Sequence, residues 1–314
     1  MSDLCCERPR AVAVSGRRSR RPRVPGRDSG AISAVPSLLG LLLVLASILL
    51  GLRPSAAGTP DDGYRLGVFP YLPVLTIDRI FGPIAASFAQ DLDRPVYLKT
   101  KSNLEKFAEE LAQERYDIIF VHPFFYLDAA DRHHYRALAR IDQPLTGVVM
   151  VGEERNWHDW RDLVGRTLAL PPQLGTASEM VKAALVDAGL RPGVDVLLQH
   201  YRTMIACLQA VVVGSADACA IPRFGLTQIG SIADMRLHVM METGPINNFL
   251  FAVHERVPEA ARAKLLGCVL AWSQTEAGRA VLTAGGWAGF VPAEDRDYNQ
   301  VRRYSTRLEV LAQP

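Results

Sequence analysis

The chain has 314 residues, 49% hydrophobic and 22% charged, enough for a sizeable core and for more than one lobe. Its net charge of +2 is set by the first 57 residues, where nine arginines stand against three acids, a surplus of six that leaves the body at −4. A mildly acidic body lacks the electrostatic footprint of a nucleic-acid binder.

Residues 1–30 are basic and rich in Arg, Pro, Ser and Gly, a composition that does not pack a core. Leu38 to Leu52 is an uncharged apolar run, followed by Arg53-Pro54-Ser55-Ala56-Ala57. Basic, apolar, small is the order of a secretory signal cut after Ala57. A membrane span takes about 20 apolar residues. Extending the run back to Ala31 reaches that length, so an uncleaved anchor is the second reading. Pro22 makes Arg20-Arg21 a poor twin-arginine match, and no cysteine follows the apolar run, which argues against a lipoprotein. Cys5 and Cys6 leave with the leader. Cys207, Cys219 and Cys268 remain, without metal-ligand spacing. One pair can bridge in an exported protein, although buried free thiols are the plainer reading.

Beyond a polar linker at 58–63, residues 65–69 read as a first strand ending at Pro70-Tyr71-Leu72-Pro73. Residues 76–90 carry Ile77, Ile80, Phe81, Ile84 and Phe88 on one helical stripe, interrupted by Gly82-Pro83. A strand follows at 95–99, then a helix capped by Asn103 with Leu104, Phe107 and Leu111 on one face. Residues 116–121 are apolar after Asp117, as expected of a buried parallel strand, and a helix spans 124–130. The alternation is a doubly wound α/β signal.

The second half repeats the pattern. Strands are expected at 146–151, 166–170, 194–199, 217–221, 235–241 and 249–253. A turn-and-helix segment covers 156–163, and helices are expected at 176–188, 203–213, 258–272, 275–284 and 293–311. Pro and Gly cluster at 143–147 and 244–248, the natural crossings between lobes. Lobe I is then discontinuous, 64–143 plus 248–314, with lobe II, 147–244, inserted. Two crossing segments make a hinge able to close a cleft.

Candidate ligand residues lie where strands end, since open α/β sheets bind there. After the strand 167–170, two prolines lead to Gly175-Thr176-Ala177-Ser178 at a helix start. Uncovered backbone N–H groups and the positive dipole end suit an anion, whereas the plainer reading makes Thr176 or Ser178 a cap. Tyr71, His122 and Tyr126 follow strands in the first lobe. Arg202 lies between a strand and a helix start, where its planar fork matches phosphate oxygens; Arg223 is a weaker case. His122, His133, His134 and His158 lack metal-site spacing, and Gly285-Gly286-Trp287 reads as a turn with a packing Trp. Gly-x-Gly-x-x-Gly, P-loop, Gly-x-Ser-x-Gly and His-Glu-x-x-His motifs are absent.

Several segments in order resemble the PhnD-type phosphate/phosphite/phosphonate-binding proteins of ABC transporters. They are Arg65-Leu-Gly-Val-Phe-Pro70; Tyr116-Asp-Ile-Ile-Phe-Val-His-Pro-Phe-Phe-Tyr126; Asp162 to Pro171; Gly175-Thr-Ala-Ser178; and Ala206 to Ala218. The resemblance covers residues 64 to 290. It implies an α/β, two-lobed type II periplasmic-binding-protein fold, with the ligand cleft between lobes joined by a two-segment hinge. The family's Ser-Thr-Ser at a helix start, which receives phosphonate oxygens, falls on Thr176, Ala177 and Ser178, where Ala177 offers only its N–H. The family's tyrosine after its third strand falls on Tyr126. Its Gly-Ser-His-Asp segment is replaced by His200-Tyr201-Arg202-Thr203, which favours a small oxyanion over an aminoalkylphosphonate.

The expectation is an exported, periplasmic solute-binding protein, not an enzyme, without cofactor or metal. It would bind phosphate, phosphite or a phosphonate through Tyr71, His122, Tyr126, Gly175, Thr176, Ala177, Ser178 and Arg202. Its partners would be that oxyanion and an ABC transporter permease. It would be a monomer, touching the membrane only through the leader. The alternatives are a membrane-tethered ligand sensor of the same fold, or a binder of another small organic anion.

Overall fold

A computed structural model describes residues 63–172, 175–229 and 232–312. The leader 1–57, with its apolar run and Cys5 and Cys6, lies outside the described residues. Gln173 and Leu174, in the turn before the Gly-Thr-Ala-Ser segment, do so too.

The first sheet has six strands in the order β2-β1-β3-β10-β4-β11. β1 (Tyr64–Val68) pairs in parallel with β2 (Val96–Lys99) and β3 (Ile118–Val121). β10 (Leu250–His254) inserts antiparallel between β3 and β4 (Tyr135–Ile141), and β11 (Phe290–Pro292) adds antiparallel to β4. Every residue of β3 and β10 is buried, as central strands require. Neither β4 nor β11 is expected from the sequence. β4 reads Tyr-Arg-Ala-Leu-Ala-Arg-Ile and takes its strand form from pairing with β10, more than a hundred residues later. β11 is too short to announce itself.

Helix α1 (Val74–Leu92) buries the expected stripe of Ile77, Ile80, Phe81, Ile84 and Phe88, and Ala85 with it, but runs unbroken through Pro83. An interior Pro costs about 3 kcal/mol. Burying one Phe, Ile or Leu side chain returns about 1.5–3 kcal/mol. The buried stripe therefore outweighs the break, and Pro83 itself is exposed, where water can satisfy the carbonyl it leaves unpaired. In α2 (Leu104–Ala112), Asn103 Oδ1 accepts from Lys106 N at 2.9 Å, the expected cap. α3 is Pro123–Arg132.

The second sheet has the order β7-β6-β8-β5-β9. β6 (Thr167–Leu170) is parallel to β7 (Leu197–His200) and β8 (Ala218–Pro222). β5 (Gly147–Gly152) is antiparallel to β8 and β9 (Leu237–Glu242). Its alternating side chains feed two cores. Val149, Val151, Leu168, Leu170, Ala218 and Ala220 meet α4 (Thr176–Asp187) through Val181 and Leu185. Val148, Met150, Ala169, Cys219 and Ile221 meet α5 (Met204–Val212) through Cys207 and Leu208. A disulfide joins Cys207 of α5 to Cys219 of β8, with the Cα atoms 5.7 Å apart. The plainer reading of free thiols therefore fails for this pair. A residue on the buried face of a helix and one on the strand beneath it come within bridging distance only in the fold. Cys268 is free.

The chain crosses between the sheets twice, after β4 and after β9. The crossings pair with each other: Leu145 N donates to Ile246 O at 2.9 Å and Ile246 N to Leu145 O at 3.0 Å. Thr243 Oγ1 accepts from Gly147 N at 2.9 Å. α6 (Gly225–Gln228), α7 (Glu259–Ala271), α8 (Glu276–Gly285) and α9 (Asn299–Ala312) complete the described helices. The expected turn at Gly285-Gly286-Trp287 is present: Gly286 has φ 69° at the end of α8, and the Trp287 ring packs on Phe81, Phe120 and Phe290. α9 packs on both α3 and α4, touching elements of each sheet's half. Gln300 Nε2 donates to Pro245 O and Asn247 Nδ2 to Asp297 O, tying the C-terminal segment to the second crossing.

Candidate functional site

The turn between β6 and α4 is fixed from several sides. Leu170 O accepts from Tyr201 N at 2.8 Å. Pro171 O accepts from Ser178 Oγ at 3.1 Å and lies 2.9 Å from His200 Nδ1. Pro172 O accepts from Gly175 N at 2.7 Å and from Ser178 Oγ at 3.1 Å. A Cβ on Gly175 would stand 2.8 Å from Pro172 O, so a side chain there would push the turn open. No side chain caps α4. Neither Thr176 nor Ser178 is the cap of the plainer reading: both lie inside the helix, and the one proton of the Ser178 hydroxyl points back to the two proline carbonyls. The first-turn amides of Thr176, Ala177 and Ser178 have no intrahelical acceptor. They belong to buried residues, Thr176 at 4%, Ala177 at 1% and Ser178 at 0% exposure. Among the described residues, the Thr176 hydroxyl makes no hydrogen bond. Met180, one turn further, packs into the core of the first sheet, so the start of α4 lies against the opposite half of the molecule.

The first sheet contributes three residues read from the sequence. His122 ends β3, and its Nδ1 accepts from Phe125 N at 3.4 Å, capping α3. The neutral ring assigned from that bond carries its proton on Nε2. Its faces are fixed edge-on by Phe69 and Phe125, both 4.9 Å away. Tyr71 stacks on Phe69 at 5.3 Å and meets Phe249 edge-on at 5.4 Å. Burial drives its phenol far above the ordinary range, yet part of its surface is open. Tyr126 is different: its hydroxyl donates to Asp295 Oδ1 at 3.1 Å and accepts from Ala137 N at 3.2 Å, so it knits α3 to β4 and to the 295–298 turn.

In the second half, Arg202 is exposed at the end of β7, with no partner among the described residues. Arg223 instead pairs with Glu242 at 2.8 Å. The structure thus groups Gly175 to Ser178 with His200 around one turn, and Tyr71 with His122 around Phe69 and Phe249. Tyr126 and Arg202 belong to neither group.

A family model for the periplasmic substrate-binding protein of phosphonate ABC transporters matches residues 66–298. The chain belongs to this family. No curated protein matches it. Among solved structures it is similar to a binding protein component of an ABC phosphonate transporter from Pseudomonas aeruginosa, 13% identical with a TM-score of 0.68 over 80% of this chain and 88% of that one. It is similar also to PhnD1 from Prochlorococcus marinus in complex with methylphosphonate, 15% identical, TM-score 0.70, over 79% and 98%. The periplasmic aliphatic sulphonate-binding protein SsuA from Escherichia coli is 14% identical, TM-score 0.56, over 80% and 94%. At such identities the likeness is one of fold: two α/β lobes joined by a two-segment hinge.

This phosphonate-binding-family protein is thus a substrate-binding component of an ABC transporter, of a periplasmic class. Among the described residues no helix is long and apolar enough to cross a membrane. Three aromatic residues packed around Tyr71 and His122 or next to them escape the sequence reading: Phe69, Phe224 and Phe249. Phe224 meets Phe249 edge-on at 6.0 Å. The signal was present, since Phe69 and Phe224 follow β1 and β8 just as Tyr71 and Arg202 follow their own strands. A separate recess of about 520 Å³, lined by Ser87, Asp91, Lys264, Cys268, Trp272 and Thr275, lies between α1 and α7. Burial, then Asp91, push the Cys268 thiol up to about 11, which keeps it protonated and a poor nucleophile.

Proposed function

We propose that this chain closes two lobes over a small phosphorus oxyanion (phosphate, phosphite or a phosphonate) and presents it to a membrane permease, without catalysing a reaction. Lobe I comprises 64–143 and 248–314, and lobe II 147–244. The mature protein acts as a periplasmic monomer after removal of 1–57. The observation that carries the reading is the start of α4: buried, uncapped, and furnished with the unpartnered Thr176 hydroxyl. Donors already aimed replace water around an anion at little reorganisation cost. The backbone N–H groups of Thr176, Ala177 and Ser178 and the Thr176 hydroxyl form the anion cradle. Tyr71 and His122 form the facing wall, and Arg202 is a cation at the rim. Tyr126 and the Ser178 hydroxyl hold the scaffold. A phosphonate is the ligand of the Prochlorococcus neighbour and a sulphonate is what SsuA is named for, so both chemistries belong in the test.

The decisive variant is Thr176→Pro. Gly175 has φ −78° and ψ 146°, the conformation that precedes a proline, and proline is accepted at the first helical position. The change deletes one amide donor and one hydroxyl while leaving the helix intact. Calorimetric titration in a phosphate-free buffer with phosphate, phosphite, methylphosphonate, sulfate and ethanesulfonate should give binding to at least one phosphorus anion, weakened tenfold or more by Thr176→Pro. Binding that Thr176→Pro leaves unchanged, or no binding by any of the five, defeats the proposal.

A further inference from the structure

Resting on that reading, we infer that the group attached to phosphorus is apolar or aromatic, and that Tyr71 and Phe224, backed by Phe249, read it. Four rings form a continuous chain. Phe69 stacks on Tyr71 with 3° between planes, Tyr71 meets Phe249 edge-on, and Phe249 meets Phe224 edge-on. Phe69 and Tyr71 follow β1 of the first sheet, and Phe224 follows β8 of the second. Phe249 sits at the end of the second crossing. The chain of rings therefore passes from one half of the molecule to the other at the carboxyl ends of the strands, where α/β sheets bind ligands. Phe69 and Phe249 are buried and hold the row in place, whereas Tyr71 and Phe224 keep open surface to offer a ligand.

Several carboxylates of the two halves already have partners. Glu242 pairs with Arg223 at 2.8 Å, Glu179 with Lys182 at 2.9 Å, and Asp295 with Arg302 at 3.2 Å. The carboxylate of Asp297 accepts from Glu294 N at 2.9 Å. An ammonium brought in on an aminoalkyl chain would lose its water and meet cations' partners rather than a free carboxylate. A flat or branched hydrocarbon group would instead bury apolar area against ring faces and edges.

The test is calorimetric titration of the purified protein with phosphate, methylphosphonate, phenylphosphonate and 2-aminoethylphosphonate, repeated on Phe224→Ala. Phenylphosphonate is expected to bind at least tenfold more tightly than 2-aminoethylphosphonate. Phe224→Ala should weaken phenylphosphonate at least fivefold while leaving phosphate within twofold. Should Phe224→Ala fail to fold, Phe224→Leu keeps the bulk, loses the flat ring, and should weaken phenylphosphonate threefold. Equal or tighter binding of 2-aminoethylphosphonate, or equal losses for phosphate and phenylphosphonate in the variant, overturns the inference while leaving the oxyanion site standing. Failure of all four to bind overturns the oxyanion reading and this inference with it.

Discussion

Tyr126 donates its phenol proton to Asp295 Oδ1 at 3.1 Å and accepts the amide of Ala137 at 3.2 Å, across 169 and 11 residues of sequence. Burial, and then the Asp295 charge, hold the phenol well above its ordinary range, so it remains a donor at every accessible pH. Tyr126→Phe leaves the Ala137 amide and the Asp295 carboxylate short of a partner. A stability loss of about 1–3 kcal/mol is expected in urea unfolding, with ligand affinity unchanged within twofold. A tenfold loss of affinity at unchanged stability would restore Tyr126 to the ligand shell.

Ser178 is bonded to the strand end, not to the helix start. Ser178→Ala strips both Pro171 O and Pro172 O of a buried donor, a cost of about 1–2 kcal/mol. The melting temperature should fall in the unliganded protein, while affinity for the anion drops by less than threefold. Comparing that small loss with the larger one of Thr176→Pro separates scaffold from cradle.

The Cys207–Cys219 bridge closes a short loop with a sequence separation of 12. Chain-entropy arguments assign such a loop about 3 kcal/mol. Reduction, or the double replacement Cys207→Ala with Cys219→Ala, should lower the melting temperature clearly. Replacing Cys268 with Ser should not, because that thiol is free. The measurement is thermal unfolding with and without reductant.

His254 supplies a pH dependence. Burial first, and the Arg256 charge second, lower its pKa below the ordinary 6.5, against an opposing pull from Glu114. His254 Nδ1 accepts from Arg256 N at 3.1 Å, and Nε2 lies 3.2 Å from Glu114 Oε2, out of line for a good hydrogen bond. His134 also faces the ring, and Arg136 holds Glu255 ionised nearby. The unfolded chain takes up a proton near pH 6.5 and the folded one resists it, so the unfolded state binds more protons in that window. Stability is therefore full above pH 6.5 and falls as pH drops from there through the folded pKa. Glu255, lowered by its bond to Arg136, adds a second loss only below its ordinary 4.5. His254→Asn, which retains an acceptor for Arg256 N, should flatten the stability profile between pH 7 and 5.5. An unaltered slope would mean that other groups set it.

Most of the helices and the parallel strands are legible because their burial is local and periodic: Leu104, Phe107 and Leu111 announce α2, and the unbroken apolar run of β3 announces a covered strand. β4 is illegible because Arg136 and Arg140 interrupt its pattern and its order comes from β10. The candidate site is half legible. Glycine, threonine and the prolines mark the turn, but nothing local tells whether the Ser178 hydroxyl faces a ligand or the carbonyls behind it. Tyr126 is the same case at longer range, since its partner Asp295 is invisible from the helix that carries it. The cysteine pairing also needs the fold, because only packing brings a helix face over a strand.

The place of β10 also orders events in time. All five strands of the second sheet, and both bridged cysteines, lie within residues 147–242, so an emerging chain can complete that sheet early. The first sheet cannot. β4 pairs only with β10 and β11, and β3 keeps one open edge until residues 250–254 arrive. A half-made sheet with an apolar, unpaired edge is a template for association between chains. Until residues 250–254 arrive, the second sheet can stand complete while the first still carries that open edge, so the sheet begun first along the chain is the one finished last.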